Sequence, residues 1–430
     1  MKAAFYTLGC KVNQYETQIM EQKLAEAGFE IVSPDCPADV YIINSCTVTA
    51  ESDRKTRQML RRLKRHNPHA LAVLTGCFPQ SAPGRAAAFE EADVVTGVRG
   101  RGHIDRLIAE AMESGRRIVR VTDFTPGEDF EPMEAERFAE RTRAFVKIED
   151  GCRNFCSYCI IPYSRGPVRS KPLDQLREEL EGLARAGYRE TVLVGINLSA
   201  YGSDFGRGLA DAVETAQHTD GIERIRLGSL EPHIVTEDFV ARALQCPKLC
   251  PHFHLSLQSG CDATLRRMNR RYAADEYRQA VARLRAAFPG CGITTDVIVG
   301  FPGETEDEFV QSLAFVREIA FSQTHVFCYS RRAGTRAALM PDQIPQAEKE
   351  RRSRLMIAEC RKSRDAFWQA MEGRVCPVLF EERKTPGVSE GFAPNYAPVQ
   401  VQTERDLHGS ILPVRITGAD RNGCVGELTG

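Results

Sequence analysis

The sequence predicts an α/β protein in three parts: an open parallel α/β domain at the N-terminus, a central partial (β/α)6 barrel, and a small C-terminal β-barrel. Three observations predict it. Short apolar runs alternate with helical stretches through most of the chain, as in parallel sheets with crossover helices. An acidic stretch carrying Pro and Gly, residues 121–140, interrupts the alternation as a linker does. After Gly373 the helices give way to short strand-like pieces separated by Gly and Pro. The expected domains are therefore 1–120, 141–373 and 374–430. That agrees with 430 residues at roughly 150 per domain.

In the first part, "KAAFYTLG", "ADVYIINS", "ALAVLTG" and "ADVVTG" are strands, with a helix through "QYETQIMEQKLAEAG" and a basic helix over 54–66. Three of these runs end at a cysteine: Cys10, Cys46 and Cys77. Ligands of open parallel sheets gather beyond the carboxyl ends of the strands, so the three thiols are expected at one edge. In the second part, "FVKIED", "TVLVGI", "RIRLGS", "FHLSLQS", "TTDVIVG" and "HVFCYS" are six strand candidates, too few for a complete eight-stranded barrel. Polar or glycine-rich residues follow each: a thiol triplet, Gly195 with Asn197, Ser229 with Glu231, Gln258 with Ser259, "GFPGET", and Tyr329 with Ser330. Barrel chemistry belongs at that end of the strands. A long helix over 347–373 closes the region. "VCPVLFEE", "APVQVQ", "ILPVRITGA" and "CVGELTG" then make a small barrel of a kind that often binds single-stranded nucleic acid.

The triplet carries the chemistry. "GCRNFCSYC" spaces Cys152, Cys156 and Cys159 by three residues and then two, with the aromatic Tyr158 before the last. Structural zinc takes four ligands, usually as two separated pairs. Three thiolates with no fourth suit an iron–sulfur cube in which one iron stays open to a small molecule.

Composition narrows the class. Hydrophobic residues make up 42% and charged residues 27%, ordinary for a soluble globular protein. The N-terminal apolar stretch is broken by Gly9 and Lys11, so no membrane span is expected, and no secretory leader is evident. Fifteen cysteines, an odd number, then point to a reducing cytoplasm. A net charge of −1 leaves no overall nucleic-acid footprint. Basic density at 54–66, in "TLRRMNRRY" and in "YSRRAGTR" still makes a local RNA surface plausible. No G-x-x-x-x-G-K-[ST] motif supports a nucleotide hydrolase.

Together "CRNFCSYC", the strand-end cysteines and the C-terminal barrel resemble the methylthiotransferase family of radical S-adenosylmethionine (radical SAM) enzymes. The resemblance spans essentially the whole chain. "YTLGCKVNQYET", "INSCTVT" and "LTGCFPQ" look like the family's first cluster motifs, and "HLSLQSGCDATLRRMNRRY" and "VIVGFPGETEDEF" like its barrel motifs. It implies a central radical-SAM barrel and a TRAM-type, OB-like C-terminal barrel. It also implies two [4Fe–4S] clusters: one on Cys152, Cys156 and Cys159 that chelates S-adenosylmethionine, and an auxiliary one on Cys10, Cys46 and Cys77 that delivers sulfur. Inserting sulfur at an unactivated aromatic C–H needs a radical that side chains cannot supply. The implied chemistry is reductive cleavage of S-adenosylmethionine to a 5′-deoxyadenosyl radical, hydrogen abstraction, sulfur transfer, and methylation from a second S-adenosylmethionine.

Lys11-Val12-Asn13 followed by Gln14-Tyr15-Glu16 resembles the group acting at C2 of N6-threonylcarbamoyladenosine, just 3′ of the anticodon of tRNA. Alternatives are isopentenyladenosine tRNA, a ribosomal-protein aspartate, and a non-catalytic iron–sulfur protein that binds RNA. The implied partners are the tRNA anticodon loop, which is single-stranded, and an electron donor such as flavodoxin or ferredoxin. The threonylcarbamoyl carboxylate suits a bidentate arginine, and Arg331, Arg332 and Arg336 are candidates. Carried over for S-adenosylmethionine are Gly195 and Asn197 for its amine, Ser229 and Glu231 for its ribose, Gln258, and the backbone near Val299 and Gly300 for its adenine. Thr305 and Glu308 form a structural capping box. "CPKLCPHFH" at 246–254 has the wrong spacing for zinc and reads as core and strand entry.

Overall fold

The computed structural model describes residues 1–48, 50–125, 127–133, 142–381 and 386–429. In the N-terminal part, apolar strands Lys2–Thr7, Val40–Ser45, Leu71–Gly76 and Val94–Thr96 run parallel in a six-stranded sheet. Its edges are the short strands Glu30–Val32 and Ile118–Arg120, which the sequence pattern did not single out. Both sheet faces are covered: Ile19's neighbours Met20 and Leu24 join Ile42, Val73 and Ile108 on one, and Tyr41, Ile43, Leu60 and Leu74 pack on the other. Helix Lys11–Glu26 begins directly after Cys10, one turn earlier than its apolar spacing indicates.

The predicted linker is held down where it is described. Phe130 and Met133 are buried, and the Met133 carbonyl accepts from Tyr15 Oη at 2.6 Å and Lys171 Nζ at 3.0 Å. Residues 126 and 134–141 of this stretch lie outside the described residues.

All six expected barrel strands form: Arg143–Lys147, Glu190–Val194, Arg224–Leu227, His252–Leu255, Gly292–Val299 and Gln323–Cys328. Their pairings are parallel. At Gly228 the third strand breaks, and its continuation Ser229–Leu230 joins the fourth. The first and last strands do not pair, so the barrel is partial and open along one side. Helix Lys11–Glu26 packs against the first strand, and helix Gln346–Gln369 against the last.

Five strands close the C-terminal barrel: Val375–Phe380, Val388–Phe392, Pro398–Gln402, Ile411–Ala419 and Cys424–Leu428. Val388–Phe392 was not anticipated, its apolar alternation being interrupted by Glu390 and Gly391. The segment after it plugs the N-terminal end of the partial barrel. Arg226 donates to the carbonyls of Pro394 and Ala393 at 2.8 and 2.9 Å. Tyr396 stacks on His252 at 4.6 Å between ring centroids. Gly292 is needed there, because a Cβ would collide with the Asn395 carbonyl.

Candidate active site

Cys152, Cys156 and Cys159 lie on a loop that backbone geometry folds tightly. Gly151 has φ +94° and a Cβ on it would collide with the Pro167 carbonyl, so the loop enters at a position only glycine fits. The Cys152 amide donates to Gly166 O at 3.0 Å and the Cys159 amide to Cys156 O at 2.9 Å. Ser157 ties the loop to the "MNRRY" segment through Met268 O and Arg267 O. From that segment Arg270 reaches Cys156 Sγ at 3.4 Å and pairs with Glu231. Burial pushes Cys152 up to about 11 and Cys159 up to about 12, with Cys156 adding to both rises. The three thiols bear on one another electrostatically. That donor set fits a cube held at three irons, whose assembly displaces thiol protons.

Cys10, Cys46 and Cys77 follow three adjacent parallel strands, in the order in which those strands pair. Gly9, with φ +114°, lets the first loop approach the second: a Cβ there would lie 2.9 Å from Cys46 Cβ. Burial pushes Cys77 up to about 12 against the pull of Arg165, and Cys46 and Cys10 add to the rise. These thiols also bear on one another, and as three thiolate donors they fit a second cube.

One side chain connects the two groups. Arg165 ends the short helix that follows the loop triplet, and it is completely buried. Its Nε donates to Cys77 Sγ at 3.2 Å, and its other nitrogens to Asn13 Oδ1 at 2.6 Å, Glu16 at 2.5 and 2.9 Å, and Asp150 at 3.3 Å. Lys147 and Arg101 also pair with Glu16, at 2.8 and 2.6 Å. Burial pulls the Glu16 carboxyl up, but Arg101, Arg165 and Lys147 outweigh it and hold it down at about 2. A second strut, Arg332 to Thr47 and to Asp53 at 2.7 Å, crosses between the same parts beside Cys46.

Other sequence-derived candidates fall in place as follows. Gly195 lies against Glu149, where a Cβ would be 2.7 Å from the carboxyl, and the Asn197 amide donates to that carboxyl at 2.6 Å. Burial raises Glu149 well above the usual carboxylate range, against the pull of the Asn197 and Ile196 amides. Ser229 is exposed, and Glu231 is engaged by Arg270. Gln258 takes a left-handed φ of +67° and bridges the fourth strand's end to Val297. Val299 is buried. The Gly300 amide donates to Glu304 at 2.6 Å, and a Cβ there would collide with Lys349. Arg331 and Arg336 are exposed, Arg331 donating to Ala338 O at 2.8 Å. Thr305 and Glu308 cap reciprocally at 3.1 and 3.2 Å. Cys246, Cys250 and His252 are core residues. Arg165, Glu149 and Arg270 were not singled out, and Glu16 entered only as part of the first motif, because their partners come from distant segments. His254 was set aside with its neighbours, yet it groups with Asp296 and His325, their ligand atoms lying within 4.8 Å of one another.

Residues 146–316 match the Radical SAM superfamily and residues 2–97 the family described as "Uncharacterized protein family UPF0004". The threonylcarbamoyladenosine tRNA methylthiotransferase MtaB of Bacillus subtilis is 37% identical over 97% of this chain and 94% of its own. The chain belongs to the methylthiotransferase family of radical SAM enzymes. Its MtaB relative from Thermotoga maritima is 36% identical over 97% and 95% of the two chains. A tRNA-2-methylthio-N(6)-dimethylallyladenosine synthase of Syntrophomonas wolfei is 35% identical over 100% and 98%. The radical S-adenosylmethionine methyltransferase TsrM of Kitasatospora setae shares the fold, with a TM-score of 0.56 over 76% and 72% of the chains at 14% identity. This methylthiotransferase family uses S-adenosylmethionine and two [4Fe–4S] clusters as cofactors, and the two thiol groups have donor sets that fit such clusters. Such clusters, when bound, supply one-electron chemistry. Between the two thiol groups the chain buries the charges of Arg165, Glu16 and Asp150 away from water.

Proposed function

We propose that this methylthiotransferase inserts sulfur and a methyl group at C2 of N6-threonylcarbamoyladenosine next to the anticodon of tRNA. The observation that carries the reading is near full-length similarity to MtaB relatives at 36–37% identity in a chain that presents two thiol triplets joined by Arg165. Cys152, Cys156 and Cys159 hold the cluster that binds S-adenosylmethionine, and Cys10, Cys46 and Cys77 the auxiliary one. Gly195, Asn197, Ser229, Glu231, Gln258, Val299 and Gly300 surround S-adenosylmethionine. Arg331 and Arg336 stand at the rim for the anticodon loop, whose target base enters the barrel from a single-stranded context. Arg332, whose two terminal nitrogens engage Thr47 and Asp53, joins the two parts of the chain. Domains at 1–120, 141–373 and 374–430, a cytoplasmic location and a small electron-transfer protein as reductant complete the reading.

The dimethylallyladenosine relative at 35% identity keeps isopentenyladenosine as the second reading. Nucleoside mass spectrometry of tRNA from a host lacking this protein, before and after its restoration, separates the two. Recovery of the methylthio mark on threonylcarbamoyladenosine is expected. Recovery on isopentenyladenosine alone overturns the substrate and keeps the chemistry.

A further inference from the structure

Beside the loop triplet the chain turns two aromatic rings toward solvent. Phe155, between Cys152 and Cys156, is 47% exposed, and Tyr163, on the short helix Ile161–Arg165 that follows the triplet, is 50% exposed. The rings meet edge to face, with centroids 5.8 Å apart and planes at 76°. Scattered exposed apolar residues are ordinary, but a contiguous pair next to a catalytic centre marks a contact site. Phe155 has a left-handed backbone, φ +47°, which bulky residues rarely adopt. Asn269 fixes it by donating to the Phe155 carbonyl at 3.0 Å and the Asn154 carbonyl at 3.4 Å. The turn that presents the ring is therefore held in place.

Unpaired positive charge accompanies the pair. Arg153 stands two residues before Phe155, and Arg266 and Arg271 flank Asn269. All three are exposed and none forms an ion pair with a described residue, whereas Arg267 and Arg270 of the same run are engaged by Glu308 and Glu231. The Ala337 amide donates to Ser157 O at 2.7 Å and so brings Arg336, also exposed, to the same loop. Exposed aromatic rings set among free guanidinium groups are the combination that binds unpaired nucleotides, the rings taking bases and the cations taking phosphates.

We infer that Phe155 and Tyr163 form a stacking platform for a nucleobase adjoining the target adenosine in the anticodon loop. The inference rests on the function proposed above. Drawing the target base into the barrel strips its neighbour of one stacking face, and the aromatic pair replaces that face beside the cluster loop. Every base has a π-face, so the platform accepts different neighbours and leaves the choice of target to the barrel.

The test measures, by fluorescence anisotropy, binding of the reconstituted, unreduced protein with S-adenosylmethionine to an anticodon stem-loop RNA carrying threonylcarbamoyladenosine. Phe155→Ala and Tyr163→Ala are each expected to raise Kd by about tenfold, and Tyr163→Phe by less than about twofold. RNAs with an abasic nucleotide 5′ or 3′ of the target locate the stacked base. At one of the two positions the abasic RNA should bind the native chain about tenfold more weakly and lose nothing further with Tyr163→Ala, as a shared contact requires. Iron content is read alongside, because Phe155 lies between cluster ligands; should Phe155→Ala lose iron, Tyr163→Ala and the abasic RNAs decide. Unchanged Kd in the iron-replete variants, or losses that simply add at both abasic positions, overturns the inference alone. It is also overturned if Kd holds while 5′-deoxyadenosine formation slows with flavodoxin and not with dithionite, which assigns the pair to the electron donor. Failure of the native chain to bind the stem-loop overturns the proposed substrate, and the inference with it.

Discussion

The two thiol groups are chemically alike and are built in opposite ways. Cys152, Cys156 and Cys159 share one loop, whose shape comes from Gly151, local amide bonds and the Ser157 anchor. Cys10, Cys46 and Cys77 come from three separate strand ends and come together because strands Lys2–Thr7, Val40–Ser45 and Leu71–Gly76 pair side by side in register. The loop group is thus a local motif that a short sequence can encode, whereas the strand-end group is a product of topology. Perturbing the sheet should damage the second and spare the first.

The largest expected effect is on the loop group. Replacing Cys152, Cys156 and Cys159 by Ala should abolish formation of 5′-deoxyadenosine from S-adenosylmethionine while the strand-end group keeps about half the iron. Iron analysis and product chromatography read both.

Next is the connection between the groups. Arg165→Met strands Glu16 and Asp150, and removing one partner from a buried ionic network costs about 3–5 kcal/mol. A lowered denaturation midpoint in the absence of iron is expected, and a change under about 1 kcal/mol would show that Lys147 and Arg101 suffice without it.

A smaller effect sharpens the contrast in construction. Gly76 has φ +102° and a Cβ there would meet Ser45 backbone, so Gly76→Ala should cost on the order of 1–3 kcal/mol. It should lower iron at the strand-end group only. Equal loss at both groups, resolved by paramagnetic resonance after reduction, would contradict independent assembly.

The smallest effect lies at the floor of the barrel, remote from both groups. Burial holds His252 well below the ordinary imidazole value, helped by Arg226 and His254. The unfolded chain takes up this proton near pH 6.5 and the native chain does not. Its contribution is therefore present above pH 6.5 and lost as pH falls below it, at up to about 1.4 kcal/mol per pH unit. His252→Phe, which keeps the stacking on Tyr396, should flatten the stability slope between pH 6.5 and 5.5. An unchanged slope would mean His252 protonates in the native state.

Legibility followed the same division. The loop spacing, the six barrel strands and the long closing helix were readable because each is coded within a few neighbouring residues. The strand-end cysteines were readable as a set only by adding the rule that sheet chemistry collects at carboxyl edges. Arg165 was not, since its meaning depends on Glu16, Asn13 and Cys77 arriving from another part of the chain. Arg332 looked like a substrate arginine because it stands next to Arg331 in a basic run, yet its partners are Thr47 and Asp53. Strand Val388–Phe392 and the edge strands Glu30–Val32 and Ile118–Arg120 are too short or too irregular in pattern to announce themselves.

The central claim is that the strand-end thiols hold a second cluster with a task distinct from the first. The most direct measurement is iron and sulfide content of the anaerobically reconstituted Cys10→Ala, Cys46→Ala, Cys77→Ala variant, taken together with its 5′-deoxyadenosine and methylthio-nucleoside yields. Loss of about half the iron and sulfide, with 5′-deoxyadenosine still formed and no methylthio product, is the predicted result. Unchanged iron content, or methylthio product at the native rate, would contradict it.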